Sequence, residues 1–185
     1  ALVATATPGA LDGEPVGPVS FEEATAARSA YRGLVDHPFP GCFVCGPDRG
    51  PADGGLGIIP GPLPGRDLLA DEWRPGEELA GENGQVRTEF VWAALDCAGG
   101  HGAIQPGLPP YVLGRLKVRP LRPVLAGHAY VVAGWLLAIG GRKIAAGSVV
   151  YNASGKAAAV ALGTWLFKPN ISALVGFTDD QIVTL

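Results

Sequence analysis

At 185 residues the chain is long enough for one domain with a full core and short for two. Its hydrophobic fraction of 48% is high, yet the longest apolar run, Val131 to Ile139, is far too short to cross a bilayer, so the surplus is expected to be hidden in a subunit interface. A net charge of -3 without a dense Lys/Arg block argues against a nucleic-acid partner.

Residues 1–19 carry Pro8, Pro15 and Pro18 among several glycines and read as an extended arm. They contain neither a basic n-region nor a sustained apolar stretch, so no signal peptide is expected. Three cysteines are too few for a disulfide framework and fit a reducing compartment, which makes the cytoplasm the expected location. Ser20-Phe21-Glu22-Glu23 has the form of a capping box and predicts a helix running to about Leu34. The Pro/Gly-dense HPFPGCFVCGPDRG, His37 to Gly50, reads as a structured loop. GLGIIPG and LLADEWRP (Leu68 to Pro75) are short strand candidates, followed by the polar loop GEELAGENGQVR.

Thr88 to Ile104, TEFVWAALDCAGGHGAI, reads as a helix apolar on nearly every side, hence buried. Thr88 suits the N-cap, and Glu89 lies in the first turn, where negative charge suits the helix dipole. Gly99, Gly100 and Gly102 are poor helix formers, and they make sense where a sheet approaches the helix axis closely. Asp96 is the lone acid of the apolar part.

After a break at Gln105 to Pro110, long strands are predicted. Tyr111 to Pro120 sets Arg115, Lys117 and Arg119 on one face against Leu116 and Val118 on the other. His128 to Ile139 and Ala157 to Phe167 are apolar on both faces and read as central strands, with Lys143 to Tyr151 between them. Gly140-Gly141-Arg142 and Asn152 to Gly155 are short enough for hairpins, so the sheet should be antiparallel. A short helical piece is expected somewhere in Ile171 to Leu185. One helix wrapped by one curled sheet satisfies both apolar sets with a single core.

This order resembles the hotdog fold, and several phrases resemble its acyl-CoA thioesterase branch of the phenylacetate-pathway type. PLRPVLAGH (Pro120 to His128) is similar to that branch's strand-end phrase. ALDCAGGHGA is similar to its helical phrase, in which an Asp precedes small residues. The Gly141-Arg142 hairpin, the turn at Gly155-Lys156 and the closing ALGTWL follow in the same order. FPGCFVCGPDRG followed by GLGI resembles a leader of uncharacterised hotdog proteins. The likeness covers residues 37–168. It implies an α+β hotdog domain over 37–185, preceded by an arm and short helix over 1–36.

The resemblance further implies a homodimer or homotetramer acting on acyl-CoA or a related thioester, with the site at a subunit interface. The helix start would polarise the thioester carbonyl and a helix carboxylate would activate water. That carboxylate falls on Asp96, with the backbone near Thr88 as oxyanion donor and Glu89 as a second acid. The family's His-Gly-Gly before the helix has no counterpart, those positions being Arg87, Thr88 and Glu89. The polar residue of the following strand falls near Leu113 or Gly114. Asn83 is a candidate substrate contact. Arg119 and Arg122, within a strip that includes Arg115 and Lys117, are candidates for coenzyme A phosphates.

Each assignment has a plainer rival. Asp96 could cap a backbone group or pair with an arginine across the dimer, Glu89 could serve only the helix dipole, and the basic strip could be a solvated face. Cys42-x-x-Cys45 with Cys97-x-x-x-His101 is a zinc-type donor set, with His37 as a further ligand. Against it stand the missing second CxxC knuckle and the habit of free cysteines to act as small core residues. The reading therefore assigns no metal and no cofactor. Nucleophilic Cys97 lacks a positive neighbour. Trp92, Trp135 and Trp165 read as core or interface, and Trp73 as a candidate acyl-tunnel wall. The rival functions are a non-catalytic acyl or CoA binder and an enoyl-thioester hydratase, for which His101 lies too near the helix end.

Overall fold

The computed structural model describes residues 7–9, 11, 15–102 and 111–167. Its centre is the expected helix, α2 (Thr88–Gly102), whose buried side carries Val91, Ala94, Leu95, Ala98, Gly99 and Gly100. Around it runs a six-stranded sheet. The strands are β1 (Gly61–Pro62), β2 (Leu69–Trp73), β3 (Tyr111–Pro120), β4 (Tyr130–Gly140), β5 (Lys143–Asn152) and β6 (Ala157–Phe167), in spatial order β1-β2-β4-β5-β6-β3. Every pairing is antiparallel. This is the curled sheet of the hotdog fold.

β4, β5 and β6 are interior strands, as their two-sided apolar character requires, because both faces of the sheet are covered. One core joins α2 to Trp73, Tyr130, Val132, Val150 and Ala158. On the opposite face, Ala24 and Ala27 of the N-terminal helix α1 (Phe21–Ala27) pack with Leu68, Ala70, Val131, Ala133 and Val149. The capping box forms: Ser20 Oγ accepts from the Glu23 N–H and the Glu23 carboxylate accepts from the Ser20 N–H. The α-helix is shorter than expected. It stops at Ala27 and passes into 3-10 turns at Arg28–Ala30 and Arg32–Leu34.

The hairpins close as their residues dictate. Gly141 has φ of 56°, and Asn152 Oδ1 accepts from the N–H groups of Ser154 and Lys156 in the turn completed by Gly155 at φ 72°. GLGIIPG departs from its expected strand. Only Gly61–Pro62 pairs in the sheet, while the Leu56 and Ile58 N–H groups donate to the carbonyls of Phe43 and Val44 in the leader loop. The break at 105–110 and the helical piece expected in 171–185 lie outside the described residues.

The helix glycines serve the close approach. A Cβ on Gly102 would lie 2.6 Å from the Trp135 backbone N, and one on Gly134 of β4 would lie 1.9 Å from the Ala98 carbonyl oxygen. Ser148 adds the polar tie across this contact, its buried hydroxyl donating to the Leu95 carbonyl at 2.7 Å. Trp73 is 2% exposed and belongs to the core around α2.

Candidate functional site

The helix start is presented as a site requires. Arg87 flanks it and Thr88 is the first helical residue, one position inside the expected cap. Thr88 and Glu89 are exposed, and Arg87 Nε lies 3.5 Å from the Glu89 carboxylate. The preceding loop is pinned to the PLRPVLAGH segment, with the Val86 N–H donating to the Val124 carbonyl and Gln85 bridging to Leu125. This brings Asn83 and Arg122 to the same end of the helix. Asn83 Oδ1 accepts from the Gln85 N–H, and Arg122 donates to the Ala157 carbonyl beside a groove of about 570 Å³ lined by Gln85, Leu125, His128 and Tyr130.

Asp96 lies two turns further along, about 10 Å up the axis from Glu89. The side chain is half-buried and, among the described residues, has no hydrogen-bond or ion-pair partner. Burial first, and then the neighbouring Cys42, raise its carboxyl from 3.8 to about 6. Glu89, Ala93 and Asp96 follow one another at helical spacing along the side of α2 turned from the sheet. Arg119 lies elsewhere. It donates to the Leu11 carbonyl of the N-terminal arm, on the face of β3 opposite Leu116 and Val118, which pack toward α2.

Asp71, an acid the sequence reading passed over as a strand residue, is fully buried. Arg28 donates to both its oxygens at 2.7 and 2.8 Å, and the Ile59 and Glu72 N–H groups complete its shell. Burial raises it to about 6 against the pull of those four hydrogen bonds. An acid in the apolar alternation of LLADEW was the available signal. Its saturated shell marks it as structural.

The leader loop and α2 bring five soft donors together. Cys42 Sγ lies 3.7 Å from Cys97 Sγ and 3.5 Å from Cys45 Sγ, while Cys45 Sγ lies 3.4 Å from Nε2 of both His37 and His101. Hydrogen bonds from the Cys45 and Cys97 thiols hold Cys42 far below the ordinary thiol range, and those same contacts drive Cys45 up to about 12 and Cys97 well above normal. Burial lowers His101 to about 4, so its imidazole is neutral at pH 7.

The fold sets the class of protein in which the site is to be understood. A thioesterase superfamily protein superposes with a TM-score of 0.61 at 19% identity, over 69% of this chain and 60% of its own. The PaaI protein of the phenylacetic acid degradation operon of E. coli gives 0.57 at 15% identity, over 66% and 87%. A Streptococcus mutans UA159 protein bound to acetyl CoA gives 0.52 at 14%, over 56% and 82%. This chain thus spans less than two thirds of the first of these proteins. No sequence family and no curated protein sequence matches it, so the likeness is one of fold: the chain has the hotdog fold of thioesterase superfamily structures.

Proposed function

We propose that this protein binds an acyl-CoA-type thioester at a seam between two copies of the chain and hydrolyses it, with Asp96 as general base. The observation that carries the reading is the state of Asp96, a half-buried carboxylate without a partner among the described residues, raised to about 6. An unpaired acid in an apolar helix is costly, and a base with a raised pKa is matched to activating water near neutral pH. The N–H groups at the start of α2 supply the oxyanion donors, Thr88 among them. Asn83 and Arg122, in segments tied to the loop before that end, are the candidate substrate contacts, and Arg119, bonded to the Leu11 carbonyl, is the more remote one. Glu89, exposed and paired with Arg87, is the weaker acid candidate, since the start of a helix suits a carboxylate without any chemistry.

A second reading, an acyl or CoA binder without turnover, draws on the helix start. Arg87, Thr88 and Glu89 set exposed side chains where the family's His-Gly-Gly would leave bare backbone. A panel of acyl-CoAs of graded chain length, assayed by free-thiol release, separates the two. Hydrolysis that falls about 100-fold or more in Asp96→Asn, with KM little changed, supports the enzyme. CoA binding without turnover in the wild type sinks it.

A further inference from the structure

We propose that Cys42, Cys45, Cys97 and His101 bind one zinc ion, which fastens the leader loop to the C-terminal half of α2. Four donors of this kind converge from two segments remote in sequence, and the sulfur separations from Cys42 are those of ligands around a common ion. Zn–S bonds of about 2.3 Å set two sulfurs of a tetrahedron about 3.8 Å apart. The Cys42–Cys97 and Cys42–Cys45 separations are 3.7 and 3.5 Å, and His101 Nε2 stands 3.4 Å from Cys45 Sγ. Cys42, Cys45 and Cys97 place their sulfurs within 4.8 Å of one another, and Cys45 is shared with a second such group, His37, Cys45 and His101. Binding draws the two groups together about that shared sulfur.

The loop is shaped as a metal knuckle. The Gly46 N–H returns to the Cys42 carbonyl, and a Cβ on Gly46 would lie 2.2 Å from the Pro40 carbonyl oxygen and 2.4 Å from the Cys42 N, so only glycine completes the turn. On the helix, Cys97 and His101 are one turn apart on a single face.

Two imidazoles compete for the fourth place, and hydrogen bonding selects between them. The Phe39 N–H donates to His37 Nδ1 at 2.9 Å, so the neutral His37 ring carries its proton on Nε2 and offers the cluster a donor, not a lone pair. His37 therefore hydrogen-bonds the Cys45 sulfur from outside the coordination shell. His101 Nε2 lies 2.9 Å from the Tyr31 hydroxyl and 3.4 Å from Cys45 Sγ; with that hydroxyl donated to the Cys45 carbonyl, Nε2 carries the ring proton in the metal-free protein, and zinc binding moves that proton to Nδ1 and turns the Nε2 lone pair to the ion. Three thiolates and an imidazole in tetrahedral array suit zinc among the common divalent ions, and four protein ligands make the site structural. The zinc ligands are not the residues assigned to the thioester site, but Cys42 lies close enough to raise the Asp96 carboxyl, so bound zinc should draw Asp96 back toward its ordinary range.

The test is metal analysis of the full chain, expressed with zinc in the medium and purified under reducing conditions without chelator. About one zinc per chain is expected. After removal by chelator, cobalt(II) titration should end near one equivalent with the strong visible bands of tetrahedral thiolate cobalt. Cobalt probes the unaltered sequence, so the result stands even where a cysteine variant fails to fold. His37→Ala should retain zinc, whereas His101→Ala should bind it at least tenfold more weakly in competition with a chelating dye. Less than about a tenth of an equivalent of zinc together with octahedral cobalt spectra overturns the site. A Cys42–Cys97 disulfide in the freshly purified protein does the same. Loss of zinc in His37→Ala with retention in His101→Ala overturns the ligand set.

Discussion

Two acids, both lifted to about 6 by burial, have opposite surroundings, and the contrast assigns their roles. Asp71 is held by four hydrogen bonds from three donor groups, so removing its cation leaves a buried charge. Arg28→Ala should cost about 3 kcal/mol at pH 8, read by urea unfolding. The sign of the pH dependence follows from the direction of the shift. Asp71's folded value lies above its unfolded 3.8, so its contribution to stability is fully present below about pH 4 and is lost as the pH rises through about 6. The Arg28→Ala penalty should therefore shrink at pH 5, where the protonated carboxyl needs no counter-charge. A penalty equal at pH 5 and pH 8 contradicts this. Asp96 has nothing comparable to lose, and Asp96→Asn should raise stability by about 1 kcal/mol while removing turnover. A destabilised Asp96→Asn would reassign Asp96 to structure. The sequence exposed Asp96, a single acid in an apolar helix, far more plainly than Asp71, whose meaning depends on Arg28 arriving from 43 residues away.

At the level of elements, the contact between α2 and β4 has least room for change. The Gly134 Cβ position is 1.9 Å from the Ala98 carbonyl oxygen, backbone against backbone, so no rotamer change relieves Gly134→Ala. It should cost at least about 2 kcal/mol. Gly140→Ala on the same strand meets nothing within 4 Å and should stay within about 0.5 kcal/mol of wild type. Equal unfolding midpoints for the two variants would mean that the helix does not sit this close. The glycines of α2 announced the approach because glycine is conspicuous in a helix, whereas Gly134 is inconspicuous in an apolar strand. β3, β5 and β6 were legible from alternation and hairpin residues almost to the residue. The leader was not. Leu56 and Ile58 bond to Phe43 and Val44, and nothing in the local sequence names that partner. The donor cluster was nameable from its residue types alone, although Cys42 and Cys97 meet across 55 positions.

At the scale of the whole molecule, the described residues leave an edge of the sheet and several apolar side chains uncovered. Among the described residues β3 is a ten-residue edge strand, paired with β6 on one side only, and an edge of that length invites another strand. Leu113 at its start is 38% exposed. Leu166, Leu137 and Ile139 are exposed at the same end of the sheet, near the β4–β5 hairpin. A pair of copies meeting at this edge would cover those side chains and enclose the outward side of α2, where Asp96 lacks a partner among the described residues. The expected solution mass is then at least twice 18.9 kDa at micromolar concentration. Leu113→Lys, which places a charge at the seam without touching Asp96 or the start of α2, should shift the species toward 18.9 kDa and lower hydrolysis in proportion to the dimer lost. Light scattering and the acyl-CoA assay, read over the same dilution series, make the comparison. Full activity in a monomeric Leu113→Lys protein would place the site within one chain and end the seam argument, leaving Asp96 to be explained by its own surroundings.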